Sequence, residues 1–164
     1  MAMSTRAEEL RAKLIRNFNT APRERMERAP LYDAMCAGLS DGTAARDLGI
    51  AIDVVPAGKR SCPYHFHHAQ EEMFIVLEGA GTLRVAGEML PISAGDVIFF
   101  PAGPEYPHHI LNTSDAPLKY LSISTQQRPE VCEYPDSGKV GAFNRGRLLM
   151  HRKTETLDYW DGEP

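Results

Sequence analysis

Long apolar runs are missing from this sequence: no stretch approaches the roughly 20 residues that a bilayer-crossing helix needs. The opening segment, Met1 to Leu10, also lacks an apolar core followed by a small-residue cleavage site, so a cytoplasmic location is expected. Cysteine is scarce. Cys36, Cys62 and Cys132 are odd in number, widely spaced and free of any C-x-x-C pair, which argues against a disulfide framework or a thiolate zinc site and for reduced, buried thiols. A basic excess is absent as well. Eighteen Lys and Arg against 22 Asp and Glu leave a formal charge of -4, which offers no global attraction to nucleic acid or to an acidic membrane. No helix-turn-helix pattern with a basic face precedes the β-rich region, and no internal repeat or low-complexity tract is visible.

What is present is a chain of 164 residues, 43% hydrophobic and 24% charged, the profile of a single soluble globular domain. Ser4 to Phe18 carries Glu8 and Glu9 early, Arg11, Lys13 and Arg16 late, and Leu10, Leu14 and Phe18 at four-residue spacing. That predicts one short amphipathic helix capped by Ser4 or Thr5. From Asn19 to Gly49, Pro22, Pro30, Gly38, Gly42 and Gly49 interrupt every period; a lead-in arm is expected, with a turn or two of helix within Leu31 to Leu39.

Beyond it, short β-prone runs alternate with glycine or proline at intervals of about ten residues. They are Ile50–Val55, Tyr64–Phe66, Glu72–Leu77, Gly81–Val85, Asp96–Phe100, Pro107–Leu111 and Leu118–Ser124. With no helix between them, they predict an all-β sandwich or barrel over residues 50–125, after the 1–49 helix and arm. Residues 126–164 read as an extension packing on the barrel, with a turn at Pro135 to Gly138, a strand-like run Arg147 to Met150, and a polar end holding the single tryptophan, Trp160.

Five of the six histidines fall in two clusters inside this β-rich stretch: His65, His67 and His68, then His108 and His109. Residues two apart on a strand share a face, about 7 Å apart along the chain, so His65 and His67 can chelate one ion. A tight turn through Ala69 and Gln70 would return the Glu72 carboxylate to them. His108 completes the set if the segments Asp96–Phe100 and Pro107–Leu111 pair beside the first hairpin. Three imidazoles and a carboxylate suit one divalent transition ion per chain, Mn, Fe, Co, Ni, Cu or Zn, with up to two positions left open on an octahedral ion. His68 and His109 point to the opposite face from their neighbours and read as structural or supporting residues. His151 reads as a surface residue.

These residues resemble the two motifs of the cupin superfamily. The first reads Gly58, His65, His67, Glu72 and Gly79; the second reads Gly95, Pro101, Gly103, His108 and Asn112. The departures are one extra residue between Gly58 and His65 and two between Gly103 and His108. The spacing from His108 to Asn112 keeps the family pattern and favours His108 over His109 as ligand. The linker from Gly79 to Gly95 has 15 intervening residues, similar to compact single-domain microbial cupins. The resemblance covers Ile50 to Ile123. It implies a single jelly-roll β-barrel with a mononuclear metal in its mouth, held by His65, His67, Glu72 and His108, and a homodimer. Gly79 and Gly81 are expected to form a tight hairpin after the metal strand, and Gly95 a turn with positive φ.

The family spans isomerases, epimerases, oxygenases, decarboxylases and binding modules, so other residues must choose among them. The C-terminal extension resembles tails of small bacterial cupins, some of which bear the name sugar phosphate isomerase. A metal-dependent isomerase or epimerase of a phosphorylated or polyhydroxy small molecule is therefore the leading expectation. Its alternatives are an iron-type dioxygenase and a non-catalytic small-molecule binder. An isomerase needs a base, for which Glu105 and Glu133 are candidates, and cations for phosphate, drawn from Lys59, Arg60, Arg84, Lys119, Lys139 and Arg145. The turn Glu133 to Lys139 can close over the mouth and bring Tyr134 or Lys139 to a ligand. An oxygenase needs a dry pocket, for which Phe66, Phe74, Val76, Phe99, Phe100 and Ile110 are available, although a barrel core needs the same residues. The partners expected are a small-molecule substrate and a second copy of the chain, with the N-terminal arm or Tyr159 and Trp160 covering a barrel edge.

Overall fold

A computed structural model describes residues 5–144, 146–154 and 156–164; the cap candidate Ser4 and the candidate cation Arg145 lie outside the described residues. Helix α1, Arg6–Leu14, starts at a capping box in which the Thr5 hydroxyl accepts from the Glu8 N–H and the Glu8 carboxylate accepts from the Thr5 N–H. It is shorter than predicted, and none of its residues is buried. Its Leu10 and Leu14 stay exposed; Phe18, beyond its end, packs against the cluster of Ala37, Leu39 and Ile52.

The predicted arm is not irregular, and Leu31 to Leu39 is not helical. Strands β1, Glu24–Arg28, and β2, Tyr32–Gly38, form an antiparallel hairpin there. Of the residues read as breakers, Pro22, Pro30 and Gly42 lie outside strands, whereas Gly38 ends β2 and Gly49 lies within the strand Leu48–Val55. The burial of Ala34 and Ala37 shows β2 packing on both faces of its sheet, a pattern without the clean alternation that sequence reading relies on.

The remaining strands are β3 (Leu48–Val55), β4 (Phe66–His67), β5 (Glu72–Glu78), β6 (Ala80–Val85), β7 (Glu88–Ser93), β8 (Val97–Phe100), β9 (His108–Leu111), β10 (Leu118–Thr125), β11 (Glu130–Tyr134), β12 (Lys139–Asn144) and β13 (Arg147–Arg152). Every expected β-run overlaps one of them, Tyr64–Phe66 by Phe66 alone; β1, β2, β7, β11 and β12 were not foreseen. A six-stranded sheet runs β1-β2-β3-β10-β5-β8. Facing it are a three-stranded sheet, β7-β6-β9, and a four-stranded sheet, β13-β12-β11-β4, joined by a bridge between His65 and His108. The architecture is of the jelly-roll class.

Gly79 does not turn a hairpin. β5 pairs with β8 and β10, whereas β6 pairs with β7 and β9, so Gly79 marks the corner where the chain leaves one sheet for the other. Its φ is +84°, and a Cβ there would lie 2.5 Å from the Pro117 carbonyl oxygen, so only glycine fits. Gly95, with φ +100°, sits where the chain returns from β7 to β8.

The core between the sheets gathers Val55, Phe74, Val76, Leu83, Ile92, Phe100, Ile110, Leu118 and Tyr120. A second cluster, Ala37, Leu39 and Ile52, packs with Phe18, Ala21 and Leu121 on the outer face of the large sheet. The register Asp53↔Tyr120, Ile52↔Leu121 explains the division: neighbours on β3 face opposite sides. Asn112, almost wholly buried, fastens the two sheets. Its amide donates to the Val55 carbonyl (2.8 Å) and to the Ala116 carbonyl (2.7 Å), while its oxygen accepts from the Ser114 N–H and hydroxyl. Asn112→Ala leaves these groups without their partner and is expected to cost about 2–3 kcal/mol, lowering the melting temperature by about 5–10 °C. Thermal unfolding checks this, and a shift below about 2 °C contradicts it.

Candidate metal centre

The first histidine cluster lies where a loop enters the short strand β4, and Glu72 opens β5. Glu72 Oε2 lies 3.9 Å from His65 Nε2, 3.5 Å from His67 Nε2 and 3.0 Å from His108 Nε2. His108 arrives by a route other than the one expected. β8 and β9 do not pair with each other; β9 is an edge of the three-stranded sheet, and the mutual backbone bonds of His65 and His108 bring the second cluster to the first. Donor atoms of His65, Glu72 and His108 all lie within 4.8 Å of one another, and so do those of His65, His67 and Cys132.

The hydrogen bonds behind the imidazoles determine what they offer in front. His65 Nδ1 donates to the Pro63 carbonyl (2.8 Å), and His108 Nδ1 donates to the Tyr106 carbonyl (2.9 Å). With the proton on Nδ1, each neutral ring turns its Nε2 lone pair toward the Glu72 carboxylate. Where the rings are neutral, acceptor faces acceptor at this range, and either a proton on His108 Nε2, within hydrogen-bond reach of Glu72 Oε2 at 3.0 Å, or a bound cation relieves the opposition. The separations suit an ion as that cation: ligands about 2.1 Å from one centre are about 3.0 Å apart when adjacent on an octahedron. The donor set, imidazole and carboxylate, is one that first-row divalent ions take.

Burial pushes His65 down to about 4, with the field of Glu72 working the other way. Burial likewise opposes the charged form of Glu72, yet the His108 hydrogen bond and the three imidazoles outweigh it and hold its carboxyl below the ordinary value. The His108 ring also lies flat on Phe100, 3.5 Å between centroids and 6° between planes, which fixes its tilt.

The loop between His67 and Glu72 is held by a residue that sequence reading missed. The buried Glu130 carboxylate accepts from the backbone N–H groups of His68 (2.9 Å), Ala69 (3.1 Å) and Gln70 (2.9 Å), and lies 3.4 Å from His67 Nδ1. No motif flags it, because its partners are backbone groups some 60 positions away.

Behind the histidines lies a chamber of about 170 Å³, lined by Met26, Asp53, Ser61, Cys62, His65, Glu72, Phe74, Tyr120 and Ser122. Met26 and Ser61 also border a larger cavity of about 750 Å³ that includes Arg25, Arg28, Tyr32, Tyr64, Asp136 and Lys139. Asp53 is buried, and burial raises its carboxyl above the ordinary value, against hydrogen bonds from the Cys36 thiol and the Ser122 hydroxyl. Burial also holds the Cys62 and Cys132 thiols up at about 12 and raises Cys36 further, so all three are neutral thiols at pH 7. Cys132 is buried; Cys36 and Cys62 are only partly so, a correction to the expected burial of all three. The acid within Ile50–Val55 was the available signal for Asp53: strand alternation puts it on the same face as Val55.

The other candidates are dispersed. Glu105 sits in an exposed turn. Glu133 lies 3.0 Å from His68 Nε2 and 3.7 Å from Lys153. The Tyr134 ring stacks over His65, 6.1 Å between centroids, and Lys139 lies 5.0 Å from the Tyr134 ring centre. Among the remaining cations, Lys59 donates to the Pro30 carbonyl, Arg60 lies against Tyr32, Arg84 is tied to Asp136, and Lys119 to Glu78. His109 is buried and pushed down to about 4, first by burial and then by Arg60 and Arg84; His151 is exposed. Of the proposed apolar lining, Phe74 borders the chamber, Phe66, Val76, Phe100 and Ile110 are buried, and Phe99 is 67% exposed.

Comparison with known proteins bears on the same segment. The family model described as a cupin domain matches residues 51–124. An uncharacterized protein of Methanocaldococcus jannaschii is 36% identical over 75 residues, 46% of this chain and 58% of the relative. The oxalate-binding protein of Thermotoga maritima is 35% identical over 69 residues, 42% of this chain and 54% of the relative. The chain thus spans just over half the length of the curated relatives it matches. Among solved structures, one provisionally named a sugar phosphate isomerase, from Acidithiobacillus ferrooxidans, superposes with TM-score 0.76 at 27% identity, covering 95% of this chain and 96% of the other. No helix is long and apolar enough to cross a membrane among the described residues.

Two of the chamber's ionisable groups, His65 and Asp53, make opposite contributions to stability in the metal-free protein. His65, depressed, favours folding above its ordinary value of about 6.5, and that contribution is lost as pH falls toward about 4. Asp53, raised, favours folding below the ordinary value of about 3.9, and its contribution is lost as pH rises through the folded-state value. Asp53→Asn removes only the second trend, so its melting temperature relative to wild type is expected to climb from about pH 4 upward. A difference that stays flat across thermal scans from about pH 4 to pH 8 contradicts this assignment.

Proposed function

Because residues 51–124 make this chain a member of the cupin superfamily, we propose that it uses a divalent transition ion to isomerise or epimerise a phosphorylated or polyhydroxy small molecule. His65, His67, Glu72 and His108 are the residues that would hold the ion. Bound there, it would supply a Lewis acid that polarises a carbonyl or adjacent hydroxyl oxygen of the substrate.

The observation that carries this reading is the chamber immediately beside His65 and Glu72, where hydroxyls and a carboxyl are set among apolar Met26 and Phe74. Its Ser61 and Tyr120 hydroxyls are hydrogen-bonded to each other at 2.5 Å, and Ser122 adds a third hydroxyl. Such a lining matches the alternating oxygens of a polyhydroxy compound. The chamber has room for about five or six waters' worth of substrate at roughly 30 Å³ each. A longer substrate extends past Met26 and Ser61 into the outer cavity, where Arg28 and Lys139 offer positive charge to a phosphate. Arg25 is engaged by Asp33, through two hydrogen bonds of 3.0 and 2.9 Å, and is not counted for that role. The name borne by the Acidithiobacillus ferrooxidans structure supports the same reaction class.

A dioxygenase calls for a dry apolar pocket; Met26 and Phe74 would suit one, while the Asp53 carboxyl and the Ser61, Tyr120 and Ser122 hydroxyls suit a polyhydroxy substrate better. Binding of a small dicarboxylate without turnover is the second reading, favoured by the likeness to the oxalate-binding protein.

His65→Ala and Glu72→Ala are each expected to lower metal content at least tenfold, read by elemental analysis of folded protein. Unchanged content in both contradicts the ligand assignment. The reaction is tested anaerobically in D₂O with Mn- or Zn-loaded protein and a panel of aldose and ketose phosphates and hydroxy acids. Proton NMR is expected to show deuterium entering carbon next to a carbonyl in one substrate. Absence of exchange across the panel, with oxalate binding seen by calorimetry, favours the second reading.

A further inference from the structure

We propose that Asp53 is the acid–base catalytic residue of the chamber, moving a proton between adjacent carbons of an α-hydroxycarbonyl substrate. The proposal rests on the isomerase reading and deepens it by naming the substrate class and the base. Its ground is the placement of Asp53. β3 lies between β2 and β10, and the pairs Cys36↔Asp53 and Asp53↔Tyr120 put the carboxyl in the middle of the large sheet. There it faces the same chamber as His65 and Glu72.

What surrounds the carboxyl is neutral. The Cys36 thiol donates to Oδ1 (2.7 Å) and the Ser122 hydroxyl to Oδ2 (3.4 Å), and no lysine or arginine pairs with it among the described residues. A buried carboxyl without a cation weakens a fold, and an apolar residue would serve the barrel better. What the group gains in that position is chemistry: a carboxylate with weakened solvation is a stronger base than one in water, and this one lies within reach of a substrate held at the ion-binding site. None of the bases nominated from sequence lines the chamber; Glu105 is in an exposed turn and Glu133 is engaged by His68.

The step balances without a co-reactant. The ionised carboxylate takes the proton from the carbon that carries the hydroxyl, next to the carbonyl. The electron pair of that C–H bond becomes the double bond of an enediolate; the carbonyl π pair moves onto its oxygen, which takes the proton of the neighbouring hydroxyl and leaves the negative charge on that second oxygen, from which the new carbonyl forms. Asp53 then returns its proton to the former carbonyl carbon on the same face as the double bond collapses, exchanging aldose for ketose. The Ser61, Tyr120 and Ser122 hydroxyls are placed to hold the two oxygens while the proton moves.

The test uses the metal-loaded full chain in D₂O and the panel substrate that wild type exchanges. Asp53→Asn is expected to lower kcat for exchange at least 100-fold, in line with general-base contributions of about 10² to 10⁴, while KM stays within about threefold and metal content is unchanged. Asp53→Glu, which keeps the carboxylate, is expected to exceed Asp53→Asn, and it provides the comparison if the amide variant folds poorly. Exchange at the wild-type rate in Asp53→Asn, or a change confined to KM, overturns the role of Asp53 and leaves the isomerase reading standing. Failure of wild type itself to exchange any panel substrate overturns that reading and this one together.

Discussion

Three imidazole nitrogens and one carboxylate oxygen share a space where, without a proton or a metal ion between them, their lone pairs would oppose one another. The bonds from His65 and His108 to the Pro63 and Tyr106 carbonyls fix this situation, because they commit the ring protons to the side away from Glu72. Most of the surrounding structure holds that arrangement together. Phe100 supports the His108 ring, Glu130 ties the loop that leads from His67 to Glu72, and Asn112 fastens the sheet that brings His108 to the sheet that brings Glu72. Loss of any one of these supports acts on the centre through geometry and not through its donor atoms.

The three sheets divide the work. The smaller sheets supply His67 and His108, with His65 at the bridge between them, while the large sheet supplies Glu72 together with Asp53, Tyr120 and Ser122. The chamber therefore exists only when the sheets are closed on each other, and the corner at Gly79 is what lets the chain cross between them so soon after Glu72. Beyond the chamber, β1 and the turn after β11 border the larger cavity, so the parts of the chain outside the matched segment contribute its approach. This places the N-terminal hairpin in the wall of that cavity, a position not foreseen for an irregular arm.

Much of the centre was legible because its residues are local in pattern: two histidines at the strand period, an acid one turn away, and a third histidine after a Pro-x-Gly. The β-runs around them were legible for the same reason, since glycine and proline mark their ends. Other features depended on distance in sequence. Glu130 is recognised only by three backbone N–H groups about sixty positions earlier, and the outer cavity only by the meeting of β1 with the 136–139 turn. β2 escaped notice because both of its faces are partly covered, which erases alternation. Asp53 lay between, readable as an inward acid on an apolar strand but easily discounted without knowing what the strand faced.

The most direct measurement is X-ray absorption on the cobalt-loaded protein, with stoichiometry read on the same sample. The account predicts one ion per chain, nitrogen and oxygen neighbours near 2.1 Å on the scale of ~2.0–2.2 Å for such bonds, and outer-shell scattering from several imidazole rings. Substoichiometric binding, or an ion without imidazole scattering, would contradict it.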